Sequence, residues 1–210
     1  GVEWRGRDLT VEGEVSTHDY GHGVKPGVRL SAAYDLDDHW QIGGSGEIMS
    51  RETPLRALTN DISSNRLTGF VRWRANERRE WTLAVAPSRF SDGNRRWELG
   101  VNGRERVYTA PHLKADLELD LSSQHNTRDD APYFNPKADF MAVPGVRLTH
   151  TLYRRYETAW EQIGTLGAGT YSQQGYGTGG VLALGYGQRY RANDVLDMGA
   201  MVTGISRPYD

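Results

Sequence analysis

Apolar and polar residues alternate with a period of two along most of this chain. The clearest example is Leu113–Leu121, where the odd-numbered positions are Leu or Ala and the others are Lys114, Asp116, Glu118 and Asp120. Such alternation is typical of a β-strand with one apolar and one polar face, whereas a helix would scatter these residues around its circumference. Helical periodicity is weak elsewhere, so the pattern predicts an all-β fold.

The alternation predicts about twelve strands. Most exceed the roughly 5–6 residues of a typical globular strand and reach the roughly 9–11 residues of a membrane-crossing strand. They cover residues 2–5, 9–18, 26–36, 39–49, 64–75, 79–90, 95–108, 113–124, 138–153, 157–172, 178–190 and 195–206. Glu105 falls on the apolar side of its strand, which suggests a bulge or the end of the apolar band.

The connections between these strands are predicted to alternate in length. Tight polar turns are expected near Arg7, Asp37, Asn76, Pro111, Arg155 and Asn193, and longer loops at residues 18–23, 53–64, 91–94, 124–136 and 172–177. Short turns at one end and long loops at the other are the layout of an outer-membrane β-barrel. We therefore predict an antiparallel up-and-down transmembrane β-barrel with periplasmic turns and external loops.

Aromatic residues fall near the predicted strand ends. Trp97 lies beside a long loop, and the other five of the six tryptophans lie near short turns: Trp4, Trp40, Trp73, Trp81 and Trp160. Two aromatic girdles at the membrane interfaces would give this distribution, although Trp and Tyr are also simply good strand residues. The girdle is favoured because the tryptophans collect on one side.

Composition excludes several classes of protein. The chain has a formal net charge of −2 and no cysteine, so a nucleic-acid footprint, a disulfide framework, a thiolate metal site and a cysteine nucleophile are absent. Mean hydropathy is −0.66. No apolar run approaches the roughly 18 residues of a membrane helix, but a barrel also averages polar because its two faces alternate.

No motif indicates catalysis, a cofactor or a metal. The glycine-rich stretches lack the strand–turn–helix context of a phosphate or dinucleotide site. His18 and His22 lie in a Gly-rich loop without an obvious third ligand. Asp129 and Asp130 could touch a cation, but solvated loop acids are commoner. We therefore expect neither an enzyme nor a metal or cofactor site.

The charged residues instead share the polar face of the strands. On the lipid face an Arg or Lys near the bilayer midplane would cost roughly 2–4 kcal/mol, so these residues are expected to line an aqueous interior. The candidate lumen residues are Glu12, Glu14, Asp35, Glu47, Glu98, Asp116, Glu118, Asp120, Arg72, Arg74, Arg104, Arg106 and Arg189. A water-soluble β-sandwich or carbohydrate-binding module with a charged outer face predicts the same alternation and stays open at this point.

Several segments, taken in order, carry a family resemblance. They are Pro54–Ala57 with Leu58, Phe90–Glu98, Gly103–Arg106, Pro132–Lys137, His150–Tyr156, Leu184–Arg189 and Arg207–Asp210. Together they resemble the C-terminal barrel of the poly-β-1,6-N-acetylglucosamine export porins of Gram-negative bacteria. The resemblance implies a barrel of about sixteen strands in the outer membrane, behind a periplasmic helical-repeat domain.

The resemblance also implies a function. It implies passive export of a partly deacetylated exopolysaccharide during biofilm formation, with outer-membrane lipid, a periplasmic polysaccharide deacetylase and an inner-membrane synthase as partners. Lumen carboxylates would attract the ammonium groups of the polymer. Residues 1–210 are expected to be an incomplete barrel domain, without the helical repeats and the final strand. A general diffusion porin is the main alternative, and an outer-membrane barrel enzyme is a weaker one.

Overall fold

The computed structural model describes residues 1–128 and 130–208. Asp129, Tyr209 and Asp210 lie outside the described residues, and with them the loop acid predicted at position 129 and the last two residues of the 207–210 segment. All structural statements below refer to the described part of the chain.

The described residues form long antiparallel strands and one short helix. The elements in chain order are β1 (Val2–Arg5), β2 (Leu9–Asp19), β3 (Val24–Asp35), β4 (Trp40–Ile48), α1 (Leu55–Thr59), β5 (Ser64–Asn76), β6 (Arg79–Phe90), β7 (Arg95–Thr109), β8 (Leu113–Asn126), β9 (Ala138–Arg155), β10 (Thr158–Gln173), β11 (Gly177–Arg191) and β12 (Asp197–Ser206). Each predicted strand is present, with ends that differ by a few residues. The helix α1 was not predicted, because it lies inside a segment interpreted as loop.

All strands belong to one sheet. Each pairs antiparallel with its neighbour in the sequence, in the order β1 to β12. The prediction of an all-β up-and-down meander is therefore confirmed. A sandwich would divide the strands between two packed sheets, so that alternative is wrong for the described chain.

The sheet curves strongly around its polar face. A cavity of about 490 Å³ is lined by residues of every strand from β6 to β12, including Glu80 at one side and Ile205 at the other. Strands lie about 4.8 Å apart, so six spacings would separate β6 from β12 by roughly 29 Å in a flat sheet. The two strands share one cavity because the sheet bends into a barrel wall, whose concave side we call the inner face.

The connections differ in length less regularly than expected. One end of the sheet carries the turns at 6–8, 36–39, 77–78, 110–112, 156–157 and 192–196, and we call it the short-turn end. The opposite loop end carries connections at 20–23, 49–63, 91–94, 127–137 and 174–176. Only 49–63 and 127–137 are long, so the expectation of five long loops is wrong. The difference in connection length between the two ends of the sheet is therefore due to these two loops.

The outer face is apolar and carries the tryptophans. Trp40, Trp73 and Trp81 are successive cross-strand partners near the short-turn end. The rings of Trp40 and Trp73 lie 6.3 Å apart. Next along this row stands Gly103, where an added Cβ would meet the Trp81 ring at 2.5 Å. The row therefore forms a continuous aromatic band, of the kind found at a membrane interface.

The charged residue on the apolar parity, Glu105, lies at the edge of this band. It is the cross-strand partner of Arg79 and forms an ion pair with it, next to the turn at 77–78. The β7–β8 register shifts directly afterwards, between Arg106 and Tyr108. Both predicted explanations, a bulge and the end of the apolar band, are thus found together.

None of the described helices has the length and apolar content to span a membrane.

Candidate functional site

The candidate site is the inner face of the sheet, and the register places all predicted lumen residues on it. Glu14, Arg29 and Glu47 are successive cross-strand partners in β2, β3 and β4 on this side. Arg104 and Glu118 are cross-strand partners in β7 and β8 on the same side. The alternation of the strands brings the remaining members to the same side: Glu12, Asp35, Arg72, Arg74, Glu98, Arg106, Asp116, Asp120 and Arg189. Period-two spacing therefore predicts the face of the sheet on which these residues lie.

Most of the predicted acids are neutralised by arginines of neighbouring strands or loops. Five of the eight have an arginine within ion-pair distance: Glu14 with Arg51, Glu47 with Arg29, Glu98 with Arg66, Asp116 with Arg106 and Glu118 with Arg147. The inner face is thus a lattice of alternating charge rather than a uniformly acidic surface. Pairing of this kind removes most of the long-range attraction that each acid would exert alone.

Asp116 has a different environment from its neighbours in β8. Its side chain is 2% exposed and accepts two hydrogen bonds from Arg106, at 2.8 Å from Nε and 3.4 Å from Nη2. A buried, bidentate pair of this kind holds the wall of the barrel together. Its carboxylate is therefore not accessible from the inner surface.

Three acids are exposed and have only neutral hydrogen-bond partners. Asp120 accepts a hydrogen bond from Asn102 Nδ2 at 2.9 Å, and Asp35 accepts one from Gln41 Nε2 at 2.8 Å. Glu12 lies 3.5 Å from the hydroxyl of Ser31. Among the described residues, no arginine lies within ion-pair distance of these three carboxylates at the inner surface. Glu12 and Asp35 lie towards the short-turn end of their strands, and Asp120 lies near the middle of β8.

Three of the five predicted arginines, Arg72, Arg74 and Arg189, contact acids that the sequence did not single out. Arg74 Nη2 lies 2.6 Å from Glu80 and Arg72 Nε lies 3.9 Å from it. Arg104 stands between Glu80 and Glu118 in the register, and Arg189 forms an ion pair with Asp197. Glu80, Asn102 and Arg147 lie on the polar face of their strands. The period-two alternation, applied to every polar residue, therefore also predicts them on the inner face.

Both long loops turn inward over the inner face at the loop end. Ala57 of α1, Phe90 at the end of β6 and Tyr133 of the 127–137 loop form a buried cluster, and the rings of Phe90 and Tyr133 stack at 5.2 Å. Because Phe90 stands on the polar parity of β6, this cluster lies on the inner side of the wall. The two loops therefore narrow the space enclosed by the curved sheet at its loop end.

The loop that contains α1 is fixed to the wall by polar contacts. The Thr53 hydroxyl lies 2.7 Å from the hydroxyl of Ser64 in β5. Asp61 pairs with Lys25 of β3, and the hydrogen bond from that ammonium lowers the pKa of the Asp61 carboxyl below its usual value. Together with the ion pair between Arg51 and Glu14, these contacts attach the loop to strands on both sides of it.

The 127–137 loop is held by a buried network centred on Asn94. This side chain is 0% exposed. Its Nδ2 lies 2.9 Å from Asn135 Oδ1, 3.1 Å from Asn126 Oδ1 and 3.2 Å from the Tyr133 hydroxyl. Its Oδ1 accepts hydrogen bonds from the Arg128 backbone N–H at 3.2 Å and from a loop hydroxyl at 3.3 Å. One asparagine thus connects the turn at 91–94, the end of β8 and the loop.

The Tyr133 side chain is buried within this network. Its side chain is 4% exposed and its hydroxyl donates to Asp92 Oδ2 at 3.2 Å. Burial raises the pKa of the Tyr133 phenol to about 12. Deprotonation would place a second negative charge beside Asp92 in a site that excludes water, so the docked loop requires the neutral phenol.

The two loop histidines have separate partners. His18 Nε2 lies 2.7 Å from the hydroxyl of Ser16, and His22 Nε2 lies 2.9 Å from the Thr59 carbonyl oxygen. No group of three or more His, Asp or Glu side chains with metal-binding geometry occurs among the described residues.

A single curved sheet of long antiparallel strands, apolar and aromatic outside and charged inside, defines a membrane β-barrel domain. The family model described as the PgaA membrane beta barrel domain matches residues 1–210, and the chain belongs to that family. Proteins named poly-beta-1,6-N-acetyl-D-glucosamine export protein, from Escherichia coli K12 and O157:H7, are each 44% identical to it over 210 residues. The match covers 100% of this chain and 26% of each relative.

A solved structure shares the fold over nearly the whole chain. It is described as a bacterial polysaccharide outer membrane secretin and superposes with a TM-score of 0.94 at 43% identity, covering 99% of this chain and 72% of that one. Family and structural neighbour together assign the domain to the bacterial outer membrane. The predicted family, fold class and location are confirmed.

Proposed function

We propose that this domain forms the wall of a conduit that exports partly deacetylated poly-β-1,6-N-acetylglucosamine passively across the outer membrane. The observation that carries the proposal is the charged inner face, which runs from the short-turn end to the inward-folded loops on a barrel of the polysaccharide-export family. The domain itself contributes no chemistry, so the energy for transport comes from elsewhere in the system.

The exposed acids are the proposed contact points for the polymer. Deacetylated sugars carry ammonium groups, and Glu12, Asp35 and Asp120 are the predicted lumen acids whose charge is not neutralised by an arginine. Conduction requires binding that is weak and repeated rather than strong and single. Separate carboxylates that each hold only a neutral neighbour meet that requirement. The paired acids are instead assigned to the stability of the wall.

We propose that the polymer enters at the short-turn end and leaves past the two long loops. Short turns are periplasmic and longer loops are external in barrels of this type. The exposed acids of β2 and β3 lie on the entry side, where they would draw ammonium groups into the conduit. A periplasmic deacetylase that generates these groups and an inner-membrane synthase are the partners implied by this direction of travel.

The remaining part of the conduit is also a proposal. β1 and β12 form the two ends of the described sheet. We propose that further strands join them and complete a barrel of about sixteen strands, in a protein that also carries the periplasmic helical repeats. The short share of each relative that the chain spans is consistent with both additions.

The export proposal is tested in the full-length protein, expressed in cells that lack their own copy. Glu12→Gln, Asp35→Asn and Asp120→Asn together remove the exposed inner charges without changing side-chain size. Secreted polymer is expected to fall about fivefold or more, while polymer accumulates in the periplasm. Insertion is checked by the heat-modifiable mobility of the barrel on gels.

A matched control removes the same number of exposed charges outside the conduit. Glu77→Gln, Glu157→Gln and Asp194→Asn lie in three short turns, and none has an ion pair among the described residues. This triple variant is expected to secrete normally. Equal secretion by both triple variants would contradict the role assigned to the inner acids.

A general diffusion porin remains the rival function, since it would have the same fold and charges. Planar-bilayer recordings separate the two. Glucosamine oligomers are expected to block the conductance of the export conduit at concentrations where neutral sugars of equal length do not. A diffusion porin would be blocked equally by both.

A further inference from the structure

A groove crosses the outer face of the sheet close to the loop end. It spans β3 to β7, has a volume of about 530 Å³ and lies within the range of about 300–1,000 Å³ typical of ligand sites. Its apolar walls include Val28, Leu30, Ile48, Leu67 and Trp97. These side chains stand on the lipid-facing parity, and Trp97 is 54% exposed. The groove therefore opens towards the membrane and not towards the conduit.

The floor of the groove is formed by a glycine. Gly46 is the cross-strand partner of Leu30 on one side and Leu67 on the other. An added Cβ at Gly46 would meet nothing within 4 Å. The depression exists because Gly46, which lies between two leucines, has no side chain. A larger side chain at this position could fill the depression without displacing the wall.

Two arginines stand over the end of the groove. Arg89 and Arg95 are direct cross-strand partners in β6 and β7, both are exposed, and each lies two positions from an apolar residue of the outer face, Pro87 and Trp97 respectively. Neither forms an ion pair with an acid among the described residues. Like charges directly opposite each other in a sheet are unfavourable. A bound anion would relieve this repulsion.

We infer that this groove binds a diphosphorylated glycolipid of the outer leaflet, with acyl chains between the leucines and phosphates at Arg89 and Arg95. Charge complementarity identifies the occupant, because guanidinium forks match phosphate oxygens bidentately and the apolar groove lies directly below them. Trp97 stands at the depth where indole rings favour the membrane interface. The inference rests on the proposed external position of the loop end and not on the identity of the exported polymer.

The test uses the full-length protein in detergent and native mass spectrometry with purified diphosphoryl lipid A. Arg89→Gln with Arg95→Gln is expected to weaken binding roughly 30-fold, since each basic residue near a charged lipid surface contributes about fivefold. The control, Arg78→Gln with Arg154→Gln, removes two exposed arginines at the short-turn end and is expected to bind normally. Equal binding by both double variants would overturn the inference.

The groove itself is tested by filling it. Gly46→Leu is expected to weaken binding about tenfold by occupying the space of an acyl chain. Gly164→Leu is the control, because Gly164 also faces outward, pairs with Leu148 and Tyr186, and has nothing within 4 Å of an added Cβ. Unchanged binding in Gly46→Leu would overturn the groove as the acyl site. Heat-modifiable gel mobility verifies that each variant is folded.

Two lipid probes decide the identity of the occupant. Dephosphorylated lipid A is expected to bind the native protein about as weakly as lipid A binds the arginine variant. Phosphatidylglycerol is expected to bind weakly and to respond little to the arginine substitutions. Binding of phosphatidylglycerol as tightly as lipid A, with the same loss in the arginine variant, would overturn the glycolipid assignment in favour of a general anionic-lipid site.

Discussion

Replacing Asn94 by Ala is expected to release the 127–137 loop while leaving the barrel folded. The substitution removes one buried side chain that joins three parts of the loop end. It leaves the Arg128 backbone N–H and the side-chain Oδ1 of Asn135 without their partner. Each lost neutral hydrogen bond is worth about 0.5–1.5 kcal/mol, and each buried polar group left unpaired costs about 1–3 kcal/mol.

The two groups left unpaired therefore destabilise the docked loop by about 2–6 kcal/mol in total. Since about 1.4 kcal/mol corresponds to a factor of ten, the ratio of open to docked loop should rise by about 30-fold to 10⁴-fold. Hydrogen–deuterium exchange of the full-length protein measures this directly. Peptides covering residues 91–98 and 127–137 should exchange faster, and those covering the centre of β8 should not. Ion conductance in planar bilayers should increase as the mouth widens.

The matched control is Asn60→Ala in the other long loop. Asn60 is exposed and donates one hydrogen bond, at 2.7 Å to the carbonyl oxygen of Arg56. It should leave both exchange and conductance close to those of the native protein. The reasoning would be refuted if Asn94→Ala exchanged in the 127–137 peptides no faster than Asn60→Ala, because the network would then contribute nothing to docking.

Three further predictions concern the same molecule. Burial raises the pKa of the Tyr133 phenol from an ordinary 10.0 to about 12. The phenol's contribution to loop docking is therefore complete below pH 10 and is lost as the pH rises through about 12. Near-ultraviolet titration of tyrosinate, compared with Tyr133→Phe, should show one late-titrating group. Gly103→Ala should destabilise the barrel by about 1–3 kcal/mol because an indole lies over that position, whereas Gly100→Ala meets open space and should not, as judged by the temperature at which gel mobility changes. Asp116→Asn should cost about 3–5 kcal/mol by leaving the Arg106 charge without its partner, which would lower the amount of inserted barrel but leave secretion per inserted barrel unchanged.

Period-two alternation was enough to predict the strands and the face on which each charge lies. From Leu113 to Leu121 in β8 the apolar and charged residues alternate without interruption, so this segment identifies both faces, and the cross-strand register extends the assignment to the neighbouring strands. The pairing state of the charges could not be predicted in the same way. Whether Glu118 meets Arg147 or stands alone depends on cross-strand register and side-chain rotamers, which a single strand does not encode.

The loop end was predicted least well, for a related reason. The glycine-containing connections at 20–23 and 174–176 were predicted to be longer loops although they are tight turns, because composition identifies a turn but not its length. The Asn94 network joins residues that lie 32 to 41 positions apart. Two of the segments that carry the family resemblance, Phe90–Glu98 and Pro132–Lys137, contact each other in this network. The resemblance therefore marked the site without revealing the contacts.

The paired charges of the inner face have a consequence for how it responds to salt. A carboxylate that is held by a guanidinium, as Glu118 is held by Arg147 at 3.7 Å, presents little net charge to its surroundings. Glu12, Asp35 and Asp120 are therefore the inner-face acids whose attraction for a cation would weaken most as the ionic strength rises. The inner face would thus act as a few discrete negative points on an otherwise neutral surface, and not as a continuous acidic field.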